Sequence, residues 1–280
     1  MSALSDTQAA RLDRFATDQS VDVHCHCLPG IDDGPRTMTE AIDLCRALVA
    51  DGITTVVATP HQLGAYEMRN RGAVVREAVD ALRSVLQAHA VPLNVLPGAE
   101  VRIDERIPWL LETGDVLTVG DAGSHLLLEL PQNHRIDPLP LVRTLARTGV
   151  RAVITHPERL PLVVRHPTCV RPWVDAGALL QVTAASLAGR FGGDAEQVGW
   201  ALIAAGLVAV VATDAHGAHR RSPRMSQAIA LLEARHGGAL ARELCVDGPR
   251  GLLRPGSAAR RPAARQTEDV TVLSGGGVHE

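Results

Sequence analysis

The chain has 280 residues, of which 46% are apolar, 21% charged and only 2% aromatic. That composition is globular, with material for one large α/β domain or two small ones and a core of Val, Leu, Ile and Ala. The formal net charge of −3 gives no basic excess for nucleic acid and no acidic excess for a solvating tail, and five cysteines without a CxxC pair argue against a disulfide framework or a thiolate zinc knuckle.

Residues 1–20 read as a polar, partly helical lead-in without the apolar centre of a signal peptide. From there short apolar runs alternate with amphipathic stretches. Seven runs have the length and composition of buried parallel strands: Val21–His24, Thr54–Thr59, Leu93–Leu96, His125–Leu130, Ala152–Thr155, Ala178–Val182 and Val208–Ala212. Helices are expected at Met38–Ala50, Arg76–His89, Leu139–Arg147, Asp194–Ala205 and Met225–Ala234, with Asp51-Gly52, Thr148-Gly149, Ala176-Gly177 and Ala205-Gly206 as breakers. Repeated βα units imply right-handed crossovers and a parallel sheet, closed into an irregular barrel or left open and doubly wound. The apolar runs are far shorter than the roughly 20 residues that span a bilayer, so a cytoplasmic protein is expected. The Ala-, Arg-, Pro- and Gly-rich end, 256–280, reads as a flexible tail behind a folded domain of 21–255.

The chemistry gathers at one end of these runs. The first leads into His24-Cys25-His26 and Asp32-Asp33-Gly34; the second into Thr59-Pro60-His61; the third into Pro97-Gly98-Ala99-Glu100; the fourth ends on Glu129. The fifth gives His156-Pro157-Glu158-Arg159 and the seventh Thr213-Asp214-Ala215-His216. C-terminal strand ends of a parallel barrel converge on one face, so residues remote in sequence meet there. Side chains alternate along a strand; His24 and His26 therefore point the same way, while Cys25 and Cys27 face the helices. His24, His26, Asp33, His61, Glu100, Glu129, His156, Asp214 and His216 make nine imidazole and carboxylate groups of the kind that bind divalent metals. One zinc-like ion needs three or four, so nine support two or three ions sharing a carboxylate. Such clusters favour displacement at phosphorus, clamping phosphoryl oxygens and lowering the pKa of bound water. Arginine complements phosphate, and Arg159, Arg220 and Arg221 follow the ligand pairs closely. No cysteine stands in a Cys-x5-Arg loop, which excludes the thiol mechanism of the common tyrosine phosphatases.

At these motifs the sequence resembles the PHP (polymerase and histidinol phosphatase) superfamily, and more closely its bacterial CpsB/CapC-type protein-tyrosine phosphatases of capsule and exopolysaccharide systems. The stretches that carry the resemblance run from Asp22–Gly34 through Ala58–His61, Leu96–Glu100, Thr155–Arg159 and Thr183–Gly192 to Thr213–His216. The resemblance implies a distorted, TIM-barrel-like (β/α)7 barrel with up to three metals: manganese first, iron or zinc as alternatives. It assigns one ion to His24, His26, Glu100 and Asp214, a second to Glu100, Glu129 and His156, and a third to Asp33, His61 and His216. Arg159 and Arg221 would bind phosphate, with Asp214 and His216 counted beside them as catalytic. The implied partner is a phosphotyrosine-bearing tail of a tyrosine autokinase of polysaccharide export. A small-molecule phosphatase of the superfamily and a non-catalytic metal-binding partner are the alternatives. One departure is visible: Gln62 stands where relatives carry a second His after the equivalent of His61.

Overall fold

The computed structural model describes residues 20–254; the lead-in before Ser20 and the tail expected from Gly256 lie outside the described residues. Nine parallel segments run through it: β1 Val21–Cys25, β2 Thr55–Ala58, β3 His61–Gln62, β4 Asn94–Pro97, β5 Glu100–Arg102, β6 His125–Glu129, β7 Arg151–Thr155, β8 Leu179–Thr183 and β9 Val210–Ala212. Pairing follows two orders, β1-β2-β4 and β3-β5-β6-β7-β8-β9. β2 and β3 are halves of one strand, broken at Thr59-Pro60, where the proline has no N–H for the ladder. β4 and β5 are likewise halves, broken at Gly98-Ala99; a Cβ on Gly98 would stand 2.5 Å from Val57 Cγ1. The nine segments therefore trace seven strands.

The ring closes between its last and first strands. Cys25 bridges Ala215 in parallel. Asp214 N–H donates to the His24 carbonyl at 2.8 Å and His26 N–H to the Ala215 carbonyl at 2.9 Å. Asp22, fully buried, accepts from the Thr213 N–H at 3.0 Å and from the Thr213 hydroxyl. Burial outweighs those bonds and pushes its carboxyl up to about 6. The architecture is a closed, distorted (β/α)7 barrel, and the open-sheet alternative does not hold.

Five helices of nine or more residues lie on the outside: α1 Met38–Ala50, α2 Gly72–Ala88, α3 Leu139–Arg147, α4 Gly193–Ala204 and α5 Met225–His236. Each buries a stripe, as α2 does with Val75, Val79, Leu82 and Leu86. No helix among the described residues is long and apolar enough to cross a membrane. α2 begins at Gly72, four residues before the expected Arg76, because Gly72 fits against the Gly114 carbonyl, 2.1 Å from where a Cβ would be. Short helices at Ile107–Glu112, Pro161–Arg165, Arg171–Asp175 and Gly248–Leu252 had no expected counterpart. At five or six residues they are too short for a 3.6-residue period to show, although each carries a proline in its first turn.

Strand alternation sorts the core into two layers. Val57, Leu127, Val153, Leu179 and Val210 point into the barrel, with Val21 and Val23. Val56, Leu126, Leu128, Ala152, Ile154, Leu180 and Val182 pack outward under the helices. Two positions further along the same inward columns the chemistry changes: Leu127 is succeeded by Glu129, Val153 by Thr155, Leu179 by Gln181, all buried. The barrel is thus greasy at its base and polar at its mouth. Val119 and Leu252 seal the base, and the Leu252 carbonyl lies 3.2 Å from His125 Nδ1. Leu252→Ala should lower stability by about 2–4 kcal/mol in urea denaturation, the usual cavity penalty; a loss below about 1 kcal/mol would mean that this helix does not close the barrel.

Candidate metal centre

The polar ends of the columns meet in one cluster. The β1–β2 register shifts between Asp22 and Cys25. Past that irregularity Cys25 and Cys27 join the outer core, and His24 and His26 face the mouth. Gln181 Oε1 accepts from His24 Nδ1 at 2.8 Å and the Asp32 carboxylate from His26 Nδ1 at 2.7 Å. With the proton fixed at Nδ1, both Nε2 lone pairs aim inward. They stand 3.3 Å apart. His24 Nε2 is 3.4 Å from both Glu100 Oε2 and Asp214 Oδ1, and His26 Nε2 is 3.5 and 3.6 Å from the same atoms. Four acceptors thus face one point.

Glu100, buried at the start of β5, joins the parts. Its Oε1 turns toward β7, where it accepts from the Thr155 hydroxyl at 2.7 Å and meets His156 Nε2 at 2.7 Å. Its Oε2 turns the other way, 3.1 Å from His61 Nδ1. A further group forms beside it: Asp33 Oδ1 lies 3.4 Å from His61 Nε2 and 3.2 Å from His216 Nε2. The Asp214 carbonyl accepts from His216 Nδ1 at 3.0 Å, which leaves the His216 Nε2 as an acceptor as well.

The electrostatics follow from this crowding. Burial pulls the His24 imidazole down, but the Glu100 and Asp214 charges outweigh it and push it up to about 9. His61 is carried to about 11 against burial by Asp33 and Glu100. The same imidazoles hold Glu100 and Asp33 far below the ordinary carboxylate range despite desolvation. Burial and the Glu100 charge raise Glu129 to about 7, and Arg102 Nη2 pairs with it at 3.0 Å. Burial with Arg159 lowers His156 to about 4, and burial with His26 lowers His216 to about 4. Three of these residues take left-handed backbone: His156 (φ 37°), Asp214 (φ 52°) and Arg221 (φ 52°). That strain is of the kind held at functional positions by the surrounding fold.

Arg159 Nη2 and Arg221 Nη2 both donate to Asp214 Oδ2 at 2.6 Å. Arg221 Nη1 also donates to His216 Nε2 at 2.8 Å. Phe191 lies beneath the pair, its ring centre 4.5 Å from the Arg159 guanidinium carbon and 5.8 Å from that of Arg221. Glu158, fully buried, anchors the turn that leads to Phe191, accepting from the Thr183 N–H at 3.1 Å and the Ser186 hydroxyl at 2.7 Å. Arg221 is turned in and Arg220 is exposed.

All nine metal-type residues read from the sequence lie in this cluster. Three groups have the closeness to hold an ion: His24, His26 and Glu100; His26, Asp33, His61 and His216; and His61, Glu100 and Glu129. The first two contain the sets implied by the resemblance, less Asp214 in the first, whose Oδ1 lies within 3.6 Å of both imidazole nitrogens. The third differs: Glu129 groups with His61, whereas His156 sits on the opposite oxygen of Glu100. Strand order alone does not set this, since β6, which ends on Glu129, pairs directly with β7, and β5 stands between it and β3. The Glu129 side chain leans across β5, its Oε2 3.7 Å from His61 Nδ1 and 3.0 Å from Arg102 Nη2. Gln62 points away from the cluster. It donates to the Asn70 and Asp115 carbonyls and accepts from the Leu117 N–H, so it fixes the loop after β3. Sequence reasoning missed the orienting roles of Asp32, Gln181 and Thr155 and the positions of Arg102 and Phe191. Only Asp32, beside Asp33, carried a visible signal.

The family model described as "Capsular polysaccharide synthesis, CpsB/CapC" matches residues 20–254. The tyrosine-protein phosphatase YwqE of Bacillus subtilis is 37% identical over 226 residues, 79% of this chain and 86% of that protein. The tyrosine-protein phosphatase CpsB of Streptococcus pneumoniae is 26% identical over 240 residues, 83% of this chain and 98% of that protein. A solved structure from work on YwqE of Bacillus subtilis and CpsB of Streptococcus pneumoniae, described there as unique metal-dependent tyrosine phosphatases, aligns with a TM-score of 0.80 at 35% identity. It covers 84% of this chain and 94% of that one.

Because Asp32 fixes His26 without being needed as a ligand, Asp32→Ala should weaken retention of divalent metal by about 10–100-fold. Metal content after gel filtration, read beside circular dichroism, checks this; unchanged retention would show that His26 keeps its orientation unaided.

Proposed function

This chain belongs to the CpsB/CapC family, and on that premise we propose that it is a metal-dependent protein-tyrosine phosphatase. The observation that carries the proposal is the convergence of His24 Nε2, His26 Nε2, Glu100 Oε2 and Asp214 Oδ1. With the imidazoles neutral all four are acceptors, and Asp214 Oδ1 is buried with no hydrogen-bond partner. Buried acceptors facing one another repel, and a cation is the complement that such a set fits. His24, His26, Glu100 and Asp214 would hold one ion. Asp33, His61 and His216, with His26, would hold a second, and His61, Glu100 and Glu129 form the group that would serve a third. The His/carboxylate donors suit manganese, iron or zinc.

Divalent ions in such a site supply Lewis acidity to phosphoryl oxygens and make water acidic enough to attack near neutral pH. The chain's own residues do the rest. Arg159 and Arg221 present planar forks to the phosphoryl oxygens, and each keeps a buried Nε donor with no partner. Asp214 Oδ2 holds the two guanidinium groups together, and Phe191 supports them from below. Gln181 and Asp32 keep the imidazoles of His24 and His26 turned inward.

A thiol nucleophile has no place in this scheme. Cys25, Cys27, Cys45 and Cys245 are buried, and burial pushes Cys25 up to about 11 and Cys245 higher still. The substrate we infer is phosphotyrosine on the tail of a tyrosine autokinase that governs polysaccharide export, acted on in the cytoplasm by a catalytic domain spanning residues 21–255.

Metal analysis paired with a phosphotyrosine-peptide assay tests the reading. Asp214→Ala should stay folded, lose metal and lose about 10²–10³-fold in kcat/KM. Wild-type turnover should vanish in chelator and survive thiol alkylation. Activity retained in chelator, or full activity in Asp214→Ala, would sink the assignment; turnover of sugar phosphates or histidinol phosphate but not of peptides would redirect it to a metabolite phosphatase.

A further inference from the structure

Beside the metal cluster lies an open cavity of about 230 Å³, lined by Arg190, Phe191, Asp214, His219, Arg221 and Arg224 among others. Two loops build it, residues 184–193 after β8 and 215–224 after β9. Together they carry Arg190, Arg220, Arg221 and Arg224 and not one Asp or Glu. The other loops of the mouth are mixed in sign: 26–36 has Asp32, Asp33 and Arg36, and 103–106 has Asp104, Glu105 and Arg106. Asp194 and Glu196 follow in the first turn of α4, Glu196 with its Oε2 close to Gly189, but neither lines the cavity, whose own lining is predominantly basic.

The only acidic residue in the lining is Asp214, and it offers this cavity nothing. Its Oδ1 is turned toward His24 and His26, and its Oδ2 is taken by Arg159 and Arg221. Arg224 is partly engaged elsewhere: its Nη1 donates to Gln227 Oε1 at 3.0 Å, and its charge opposes the rise that burial imposes on the Asp51 carboxyl. Arg190 has no such partner; among the described residues its side chain makes neither an ion pair nor a hydrogen bond, and it is exposed at the cavity rim. Asp214, Arg221 and Phe191 belong to both the cavity and the metal site, so the two are continuous.

The geometry points to a second anion-binding subsite here, with Arg190 as its principal determinant, which takes a carboxylate or phosphate group on the residue flanking the phosphotyrosine. This inference rests on the phosphatase reading for what occupies the neighbouring site. A phosphoryl group held by Arg159 and Arg221 leaves the adjoining part of a peptide over this cavity, where an anion is attracted and a cation repelled. A free small phosphate monoester does not reach it.

The test uses the full-length, metal-loaded protein and four phosphotyrosine peptides of equal length. Their flanking residue is Ala, Glu, a second phosphotyrosine or Lys. p-Nitrophenyl phosphate serves as the substrate too small to feel the subsite. For the wild type, kcat/KM should rise about 3–10-fold from Ala to an anionic flank, a gain that fades with salt. Arg190→Gln should abolish the gain and Arg190→Glu should invert it in favour of Lys, with p-nitrophenyl phosphate hydrolysis unchanged in both. A gain for only one of the two anions identifies that anion as the ligand. Equal rates for all peptides, or a preference untouched in Arg190→Glu, would overturn the proposal. Should nothing be hydrolysed, the phosphatase reading has failed by itself. The subsite is then judged by fluorescence anisotropy: the Glu peptide must still bind more tightly than the Ala peptide, and Arg190→Gln must remove the difference.

Discussion

The mouth of this barrel is organised around a repulsion. Imidazole nitrogens and carboxylate oxygens are forced to within 3.6 Å of one another in a buried place where water cannot screen them. Left alone, the carboxylates drag protons onto His24 and His61, which is why those imidazoles are pushed upward while Glu100 and Asp33 are held down. A divalent cation held by these residues would resolve the same conflict by displacing those protons, so its binding would release them. The arrangement persists because every member is fixed from behind. Gln181 holds His24, Asp32 holds His26, Thr155 holds Glu100, and a backbone carbonyl holds His216.

The fold supplies the rigidity for this. A two-residue step along an inward column converts an apolar layer into a ligand layer, as from Leu127 to Glu129. The greasy layer beneath therefore serves as the platform of the site. Three of the seven non-glycine residues with left-handed backbone among those described are at the site: His156, Asp214 and Arg221 adopt it in turns that follow the strands. The closure of the barrel and the assembly of the site are also the same contact. Asp214 N–H and His26 N–H knit the last strand to the first, and their side chains face a common point.

Much of this was legible in the sequence because it depends on period and position. Apolar runs of four to six residues ending in His, Asp or Glu fix both the strands and the end at which chemistry collects, and the nine metal-type residues follow. What was illegible depends on three-dimensional partnership. Nothing in the text of Leu179–Thr183 says that Gln181 will meet His24, 157 residues away. The interruption of β2 and of β4 was also hidden, since it arises from a proline without a donor and from a glycine pressed against Val57. The grouping of Glu129 with His61 rather than His156 runs against strand order and depends on the side chain leaning across β5 toward Arg102 and His61, a property that ligand lists carried over by motif do not contain.

The chain has no lysine; every one of its 28 basic side chains is arginine. At the site that choice has a structural consequence. Two guanidinium groups share one carboxylate oxygen at 2.6 Å, which two compact, strongly hydrated ammonium groups would do poorly. The planar forks stack on Phe191 and still leave donors over. Asp214 thus performs two opposed tasks with its two oxygens, facing the imidazoles of His24 and His26 with one and restraining two arginines with the other. An incoming phosphoryl group need not recruit the arginines from solvent. It would only have to draw them off Asp214, the residue whose other oxygen faces His24 and His26.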